Sequence, residues 1–269
     1  MQRLFIFLAW FTVTAFPAVS QQGTLQRLDT GVEGRQWEAV GRINIGGRGF
    51  CTGALIAPDL VLTAAHCLFD SESGQPFDLA EMEFLSGWRN GRAVAHRSVR
   101  RSILHPDYEF TSVVTVDGVR SDIALLQLQH PIDNTRIEPF SPITVPHRHT
   151  QIGVVSYARD RHEAPSLQEP CGVLDQRQGV MVLSCDVDHG ASGAPVFSMS
   201  GGAVRIVSVI SAMAEHDGKK VALSAQLDAP LREMRAQITA PTENTRVNGA
   251  QMFTSGSNRD IGAKFLSPN

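Results

Sequence analysis

The stretch CDVDHGASGAP, from Cys185 to Pro195, places a cysteine, two aspartates, a histidine and a serine among small residues within eleven positions. Glycine and serine are common in tight turns, so Ser192 taken alone is most simply a turn residue. A serine flanked by small residues is also well placed to be displayed to a substrate as a nucleophile. The remainder of the sequence decides between these two interpretations.

The composition of the 269-residue chain is that of a globular protein, with 42% hydrophobic and 19% charged residues. Its net charge of −3 and its lack of a long basic run argue against nucleic acid or an anionic membrane surface as a partner. Residues 1–20 carry a positive residue, an apolar run and then small residues, which predicts a secretory signal peptide. The alternative, a membrane anchor, needs about 20 apolar residues, and this run is shorter. No other segment is apolar enough to span a bilayer, so the mature protein is predicted to be secreted or periplasmic, without an integral membrane segment.

The four cysteines form two close pairs along the chain: Cys51 with Cys67, and Cys171 with Cys185. An even number of cysteines in an exported chain favours disulfides, and four cysteines allow three connectivities. The pairings Cys51–Cys67 and Cys171–Cys185 would close the shortest loops. Zinc is disfavoured because the spacings are not C-x-x-C, and we predict no metal and no other cofactor.

Short apolar runs rich in Val and Ile recur along the chain, separated by Gly, Pro, Asn and Asp, and several of them alternate with polar residues. This pattern predicts a largely antiparallel, all-β protein. A proline-marked stretch at 138–146 divides the body into halves that are each long enough for a six-stranded barrel. We therefore predict two six-stranded antiparallel β-barrels, at 38–140 and 141–240, the second ending in a helix that begins near Asp228. The remaining segments are an N-terminal segment or pro-segment at 21–37 and a C-terminal tail at 241–269.

Three segments that bear reactive residues follow one another: CTGALIAPDLVLTAAHC contains His66, SDIALLQL contains Asp122, and HGASGAP contains Ser192. Each residue alone has an ordinary structural explanation, but together they supply a nucleophile, a general base and a carboxylate that orients the base. In sequence, order and spacing, these segments resemble the trypsin-like (chymotrypsin-fold) serine endopeptidases over residues 38–238. An α/β-hydrolase is disfavoured because its G-x-S-x-G motif needs glycine where this chain has Ala194, and because its triad order differs.

The resemblance implies a chymotrypsin-like fold and a catalytic triad of His66, Asp122 and Ser192 that cleaves protein or peptide substrates through an acyl-enzyme. It also implies an oxyanion hole formed by the backbone N–H groups of Gly190 and Ser192. The alternative is a non-catalytic binding or chaperone-like relative that retains the fold, and the intact triad argues against it. The sequence does not define an oligomeric state.

The chain departs from the animal digestive members of this family. Ala191 stands where they have the aspartate that receives a newly formed amino terminus, so we expect activation by that ion pair to be absent; the pattern is more similar to the bacterial glutamyl-endopeptidase-like branch. Asp186, six residues before the serine, resembles the acidic residue of the trypsin primary pocket, and a buried carboxylate there would favour Arg or Lys in the substrate; otherwise it is a turn residue. His189 is an alternative contact for an acidic substrate side chain. Ser211 resembles the serine that supports the triad aspartate, to within about one residue of register.

Overall fold

The computed structural model describes residues 23–142, 151–199, 203–216, 218–239 and 252–254. The expected signal peptide at 1–20 and, apart from 252–254, the expected tail at 241–269 lie outside these residues. The strands are β1 (Thr24–Arg27), β2 (Val40–Ile45), β3 (Gly49–Ala57), β4 (Leu60–Thr63), β5 (Met82–Ser86), β6 (Ala95–Leu104), β7 (Ala124–Leu128), β8 (Gln151–Ser156), β9 (Ser166–Arg177), β10 (Val180–Leu183), β11 (Pro195–Ser198), β12 (Arg205–His216), β13 (Lys219–Gln226) and β14 (Met252–Thr254). The helices are α1 (Val116–Ser121) and α2 (Asp228–Thr239), with 3₁₀ turns at Arg35–Trp37, Ala65–Leu68, Leu79–Glu81 and Arg159–Arg161.

The first barrel consists of β2 to β7, joined in the order β2-β3-β4-β7-β6-β5 and closed by the pairing of β5 with β2. All of its strand pairs are antiparallel. The mostly apolar sequences of β4 (LVLT) and β7 (ALLQL) bury every residue, as expected of strands covered on both faces. From the end of the chain, β14 pairs with β6 and adds a seventh strand beside it.

The second barrel consists of β8 to β13, joined in the order β8-β9-β10-β13-β12-β11 and closed by the pairing of β11 with β8. These pairs are also antiparallel, so the prediction of two six-stranded antiparallel barrels is confirmed. β1 pairs with β9, which places part of the expected N-terminal segment on the second barrel. Both short-range disulfides are formed, Cys51–Cys67 in the first barrel and Cys171–Cys185 in the second.

The predicted C-terminal helix is also confirmed, and it packs across the molecule onto the first barrel. Leu231 and Met234 on one face of α2 are buried. The Arg235 guanidinium donates to the carbonyl of Ile56 at 3.2 Å. Burying each apolar side chain stabilises the fold by about 1.5–3 kcal/mol, so the packing of α2 stabilises its contact with the first barrel. No helix among the described residues is both long enough and apolar enough to span a bilayer.

Three aromatic rings join the two barrels. Trp37, which precedes the first barrel, lies 5.0 Å from Phe197 on β11 of the second, measured between ring centroids. Phe140, in the connection between the barrels, lies 4.6 Å from Phe197 and 6.1 Å from Trp37. The rings are tilted at distances typical of favourable aromatic pairs, so this cluster holds the barrels together.

Candidate active site

His66 lies at the end of a buried strand of the first barrel. β4 ends at Thr63, and the chain then turns through the short helix Ala65–Leu68. The Cys51–Cys67 disulfide fixes the next residue to β3, so the backbone on both sides of His66 is anchored. The side chain keeps 32% of its surface exposed, which leaves the ring accessible from the cleft.

Asp122 is positioned by the C-terminus of α1, a helix capped at its start by the Thr115 hydroxyl, which accepts from the Gly118 N–H. Its carboxylate is almost completely buried, with 5% of the side chain exposed. One oxygen, Oδ1, accepts from the backbone N–H of His66 at 2.8 Å, and the other, Oδ2, lies 2.7 Å from His66 Nδ1. The Ser211 hydroxyl donates to Oδ2 at 2.5 Å. The carboxylate is therefore held by His66 of the first barrel and by Ser211 on β12 of the second.

These bonds determine the chemical state of the His66 ring. An ionised carboxylate only accepts hydrogen bonds, so Nδ1 carries the proton and Nε2 of the neutral ring is an acceptor. Burial lowers the pKa of His66, but the charge of Asp122 and its hydrogen bond raise it, and the net pKa lies above the ordinary value for histidine. The ring is thus a base that is strengthened by its neighbour.

Ser192 lies in a loop of the second barrel that packs against the first. The Ser192 carbonyl accepts from the Thr52 N–H at 2.9 Å, and the Thr52 hydroxyl donates to the Gly190 carbonyl at 2.8 Å. Gly193 fits so closely that a Cβ there would lie 2.1 Å from Thr63 Oγ1, at the end of the strand that leads to His66. Among the described residues, no hydrogen bond joins the Ser192 hydroxyl to the His66 ring. The contacts that bring the two segments together are those of the backbone.

The backbone N–H groups of this loop fall into two sets. Four donate to acceptors in the described part of the chain: those of His189 and Ala191 to Asp188, that of Gly193 to Ile210, and that of Ala194 to Ala191. Those of Gly190 and Ser192 have no acceptor among the described residues. Gly190 has φ +97°, a left-handed conformation that glycine adopts without strain. Two alternate N–H groups are thus left for a ligand.

The structure places the two residues considered for substrate specificity at the surface. The Asp186 side chain is exposed rather than buried at the base of a pocket, and its backbone N–H donates to Gln168 Oε1 at 2.8 Å. This exposure removes the physical basis for expecting a buried carboxylate that selects Arg or Lys. His189 is also exposed, and its carbonyl accepts from the Arg159 N–H at 2.8 Å.

Sequence reasoning missed Thr52 and Gln168, which hold the serine loop from the two barrels. Gln168 lies on β9 and is buried; it receives the Asp186 N–H and donates to the Gly23 carbonyl at 3.4 Å. Both residues occupy ordinary positions in strands, and no local motif distinguishes them from other polar residues that alternate with apolar ones.

An apolar groove of about 310 Å³ borders His66, Asp122 and Ser211. Its walls include Tyr108, Phe110, Val113 and Val114, and the two valines are exposed. Burial raises the pKa of Tyr108, so its phenol stays neutral beside Asp122. A groove of this character, next to a base, is suited to apolar groups of a ligand.

Cys51, His66 and Cys67 bring their ligand atoms within 4.8 Å of one another. Cysteine binds metals as a thiolate, and both of these sulfurs are joined in a disulfide. This cluster therefore does not form a metal site while the disulfide is intact.

Comparison with known proteins places this arrangement in a family context. The family model described as Trypsin matches residues 30–228. The glutamyl endopeptidase of Bacillus licheniformis is 28% identical over 153 residues, which cover 56% of this chain and 46% of that protein. The trypsin of Phaedon cochleariae is 37% identical over 92 residues, which cover 34% of this chain and 32% of that protein. The chain thus aligns with less than half the length of these curated relatives.

Two solved structures share the fold at low sequence identity. A Glu endopeptidase in complex with MPD aligns with a TM-score of 0.65 at 19% identity, covering 83% of this chain and 99% of that one. Human heparin binding protein aligns with a TM-score of 0.62 at 19% identity, covering 81% of this chain and 96% of that one.

Proposed function

The chain belongs to the trypsin family, and on that premise we propose that it is an exported serine endopeptidase whose triad is His66, Asp122 and Ser192. The observation that carries this proposal is the pair of bonds from Asp122 to the His66 ring and backbone, because they leave Nε2 as a free base beside the cleft. Its substrates are proteins or peptides, and the short loop that carries Ser192 presents the nucleophile.

In the acylation step, Ser192 Oγ attacks the peptide carbonyl carbon while His66 Nε2 takes the hydroxyl proton. The carbonyl π electrons move onto oxygen, and the N–H groups of Gly190 and Ser192 donate to the oxyanion. When the tetrahedral intermediate collapses, the C–N bond breaks and His66 returns its proton to the leaving amine. Water then repeats the sequence on the acyl-enzyme and releases the acid. Throughout, Asp122 stabilises the imidazolium.

We also propose that maturation does not use a buried amino terminus. Ala191 is buried and offers no carboxylate to receive an ammonium group. The segment before the first barrel is part of the fold, since β1 pairs with β9 and both Leu28 and Trp37 are buried. Removal of a signal peptide therefore suffices, and no further pro-segment between 24 and 37 has to be released.

The test is covalent labelling by a fluorophosphonate, which reacts with activated serines. The full-length protein is expected to be labelled at Ser192, the Ser192→Ala variant to lose the label, and the His66→Ala variant to label at least 100-fold more slowly, consistent with the contribution of a general base. Ser71→Ala is the matched control, since Ser71 is an exposed serine at the groove beside His66. Absence of label on the unmodified protein would favour the non-catalytic binding or chaperone-like alternative.

A further inference from the structure

An arginine on β2 lies over the faces of two aromatic rings. The guanidinium carbon of Arg42 lies 4.4 Å from the centroid of the Phe50 ring and 5.7 Å from that of the Trp88 ring. Arg42 is half-buried, and burial lowers its pKa, while the charges of Glu163 and Tyr157 raise it. An arginine stays charged even so, and stacking on rings leaves its N–H groups directed outward in the plane of the fork.

This guanidinium differs from several others in having no anion to neutralise it. The arginine partners observed elsewhere include Arg48 with Glu81, Arg136 with Glu38 and Arg161 with Asp160. Within the described part of the chain, Arg42 has no ion pair, and its Nε is buried without a hydrogen-bond acceptor. Glu163, whose charge acts on Arg42, lies 3.2 Å from His162 Nε2 instead. A stacked, partly desolvated guanidinium without an ion-pair partner can bind an anionic group of another molecule.

The stack, which consists of Arg42, Phe50 and Trp88, lies next to the proposed oxyanion hole. Arg42 is directly opposite Thr52 in the β2–β3 ladder, so the two side chains lie on the same face of the sheet, and the Thr52 hydroxyl donates to the Gly190 carbonyl. An edge of the Phe50 ring meets Gly190, where a Cβ would lie 2.4 Å from Phe50 Cε2. One ring therefore separates the guanidinium from the loop that carries Ser192.

The stack and the apolar groove border different parts of the site. The groove is lined by Asp122 and Ser211, whereas the stack adjoins Gly190 and precedes Cys51 of the disulfide next to His66. A peptide that crosses Ser192 with one end in the groove would have its other end free to reach the stack. We propose that Arg42, positioned by Phe50 and Trp88, binds an acidic side chain of the substrate on the side of the scissile bond away from the groove. This inference rests on the proposed endopeptidase function and adds a substrate preference to it.

The test separates binding from catalysis. Immobilised Ser192→Ala protein, which does not cleave, is used to select peptides from a synthetic library in which each position holds Glu, Gln or Lys. We expect Glu to be enriched about tenfold over Gln at one position of the bound peptides, as for a partly exposed charge-assisted pair. Adding Arg42→Gln should bring that ratio close to one, and adding Arg42→Glu should reverse the preference towards Lys.

The matched control is Arg97→Gln, because Arg97 is a half-buried arginine of the same barrel whose guanidinium donates to the Pro131 carbonyl. It should leave the Glu preference unchanged. Equal selection of Glu and Gln by the Ser192→Ala protein, or a preference that survives Arg42→Gln, overturns the inference.

Hydrolysis of a small ester with no leaving-group residues tests the proposed function separately. The unmodified protein should hydrolyse this ester, since the reaction needs the triad and the ester does not reach the stack. If the unmodified protein does not hydrolyse it, the endopeptidase proposal fails, while the peptide selection still decides the role of Arg42.

Discussion

Replacing Gly193 by alanine should lower the free energy of unfolding by more than a left-handed alanine costs elsewhere, because the added methyl group disrupts the packing of the serine loop on the first barrel. Gly193 has φ +76°, and an added Cβ would lie 2.1 Å from Thr63 Oγ1, 2.3 Å from the Thr52 carbonyl oxygen and 2.9 Å from the Ala64 nitrogen. Two of these three atoms belong to the backbone of the first barrel, so they cannot move aside by a change of rotamer. The loop itself must withdraw from the first barrel.

The magnitude follows from two costs. An alanine in the left-handed region costs roughly 1–2 kcal/mol. Forcing a methyl group into a closely packed contact costs about 1–3 kcal/mol more. The sum, about 2–5 kcal/mol, is a large part of the 5–15 kcal/mol that typically stabilises a folded domain. The matched control is Gly91→Ala, because Gly91 has φ +79° but no atom within 4 Å of an added Cβ, so it should show the first cost alone.

Urea unfolding of the two variants and the unmodified protein measures these free energies. We expect Gly193→Ala to lose at least 1 kcal/mol more than Gly91→Ala, and to lose most of its fluorophosphonate labelling, since withdrawal of the loop moves Ser192 away from His66. Equal losses of stability in the two variants would refute the packing argument. A stable Gly193→Ala variant with undiminished labelling would show that loop docking does not position the serine.

Three further perturbations test the site. Asp122→Asn should lower kcat/KM by roughly 10⁴-fold. Because the charge of Asp122 raises the pKa of His66, the acidic limb of the pH–rate profile should move to lower pH in the variant, and an unmoved limb would contradict this. Gln168→Leu removes the acceptor of the Asp186 N–H, which should lower the free energy of unfolding in urea by about 1–3 kcal/mol and lower kcat more than it alters KM. Gln168→Glu retains an acceptor and should have a smaller effect. Unchanged kinetics in the leucine variant would rule out a positioning role. A protein shortened to begin at Trp37 lacks β1 and buried Leu28, so it should be less stable and less active than one beginning at residue 21, and equal activity would identify a dispensable pro-segment.

The sequence by itself predicted the architecture, because the signals for it are local. Alternating apolar runs and turn residues define antiparallel strands, and the proline-marked stretch at 138–146 separates two sets of them. The helix predicted to begin near Asp228 is formed, and the structure buries Leu231 and Met234 on one of its faces. The close cysteine pairs likewise matched the two disulfides, since a separation of 14 to 16 residues lets the chain close each loop within one barrel.

Only the tertiary structure decided what surrounds the proposed nucleophile. Thr52 and Gly190 are 138 residues apart, so no local pattern shows that they are hydrogen-bonded. The bond from Ser211 to Asp122 spans 89 residues, and only the resemblance to a family suggested it. The exposure of Asp186 could not be predicted either. Its distance of six residues from Ser192 along the chain does not show whether the side chain enters a pocket or faces solvent. Periodicity along the chain determines which face of each strand is buried, whereas the contacts between the barrels depend on how two complete surfaces fit together, and that fit is expressed only in three dimensions.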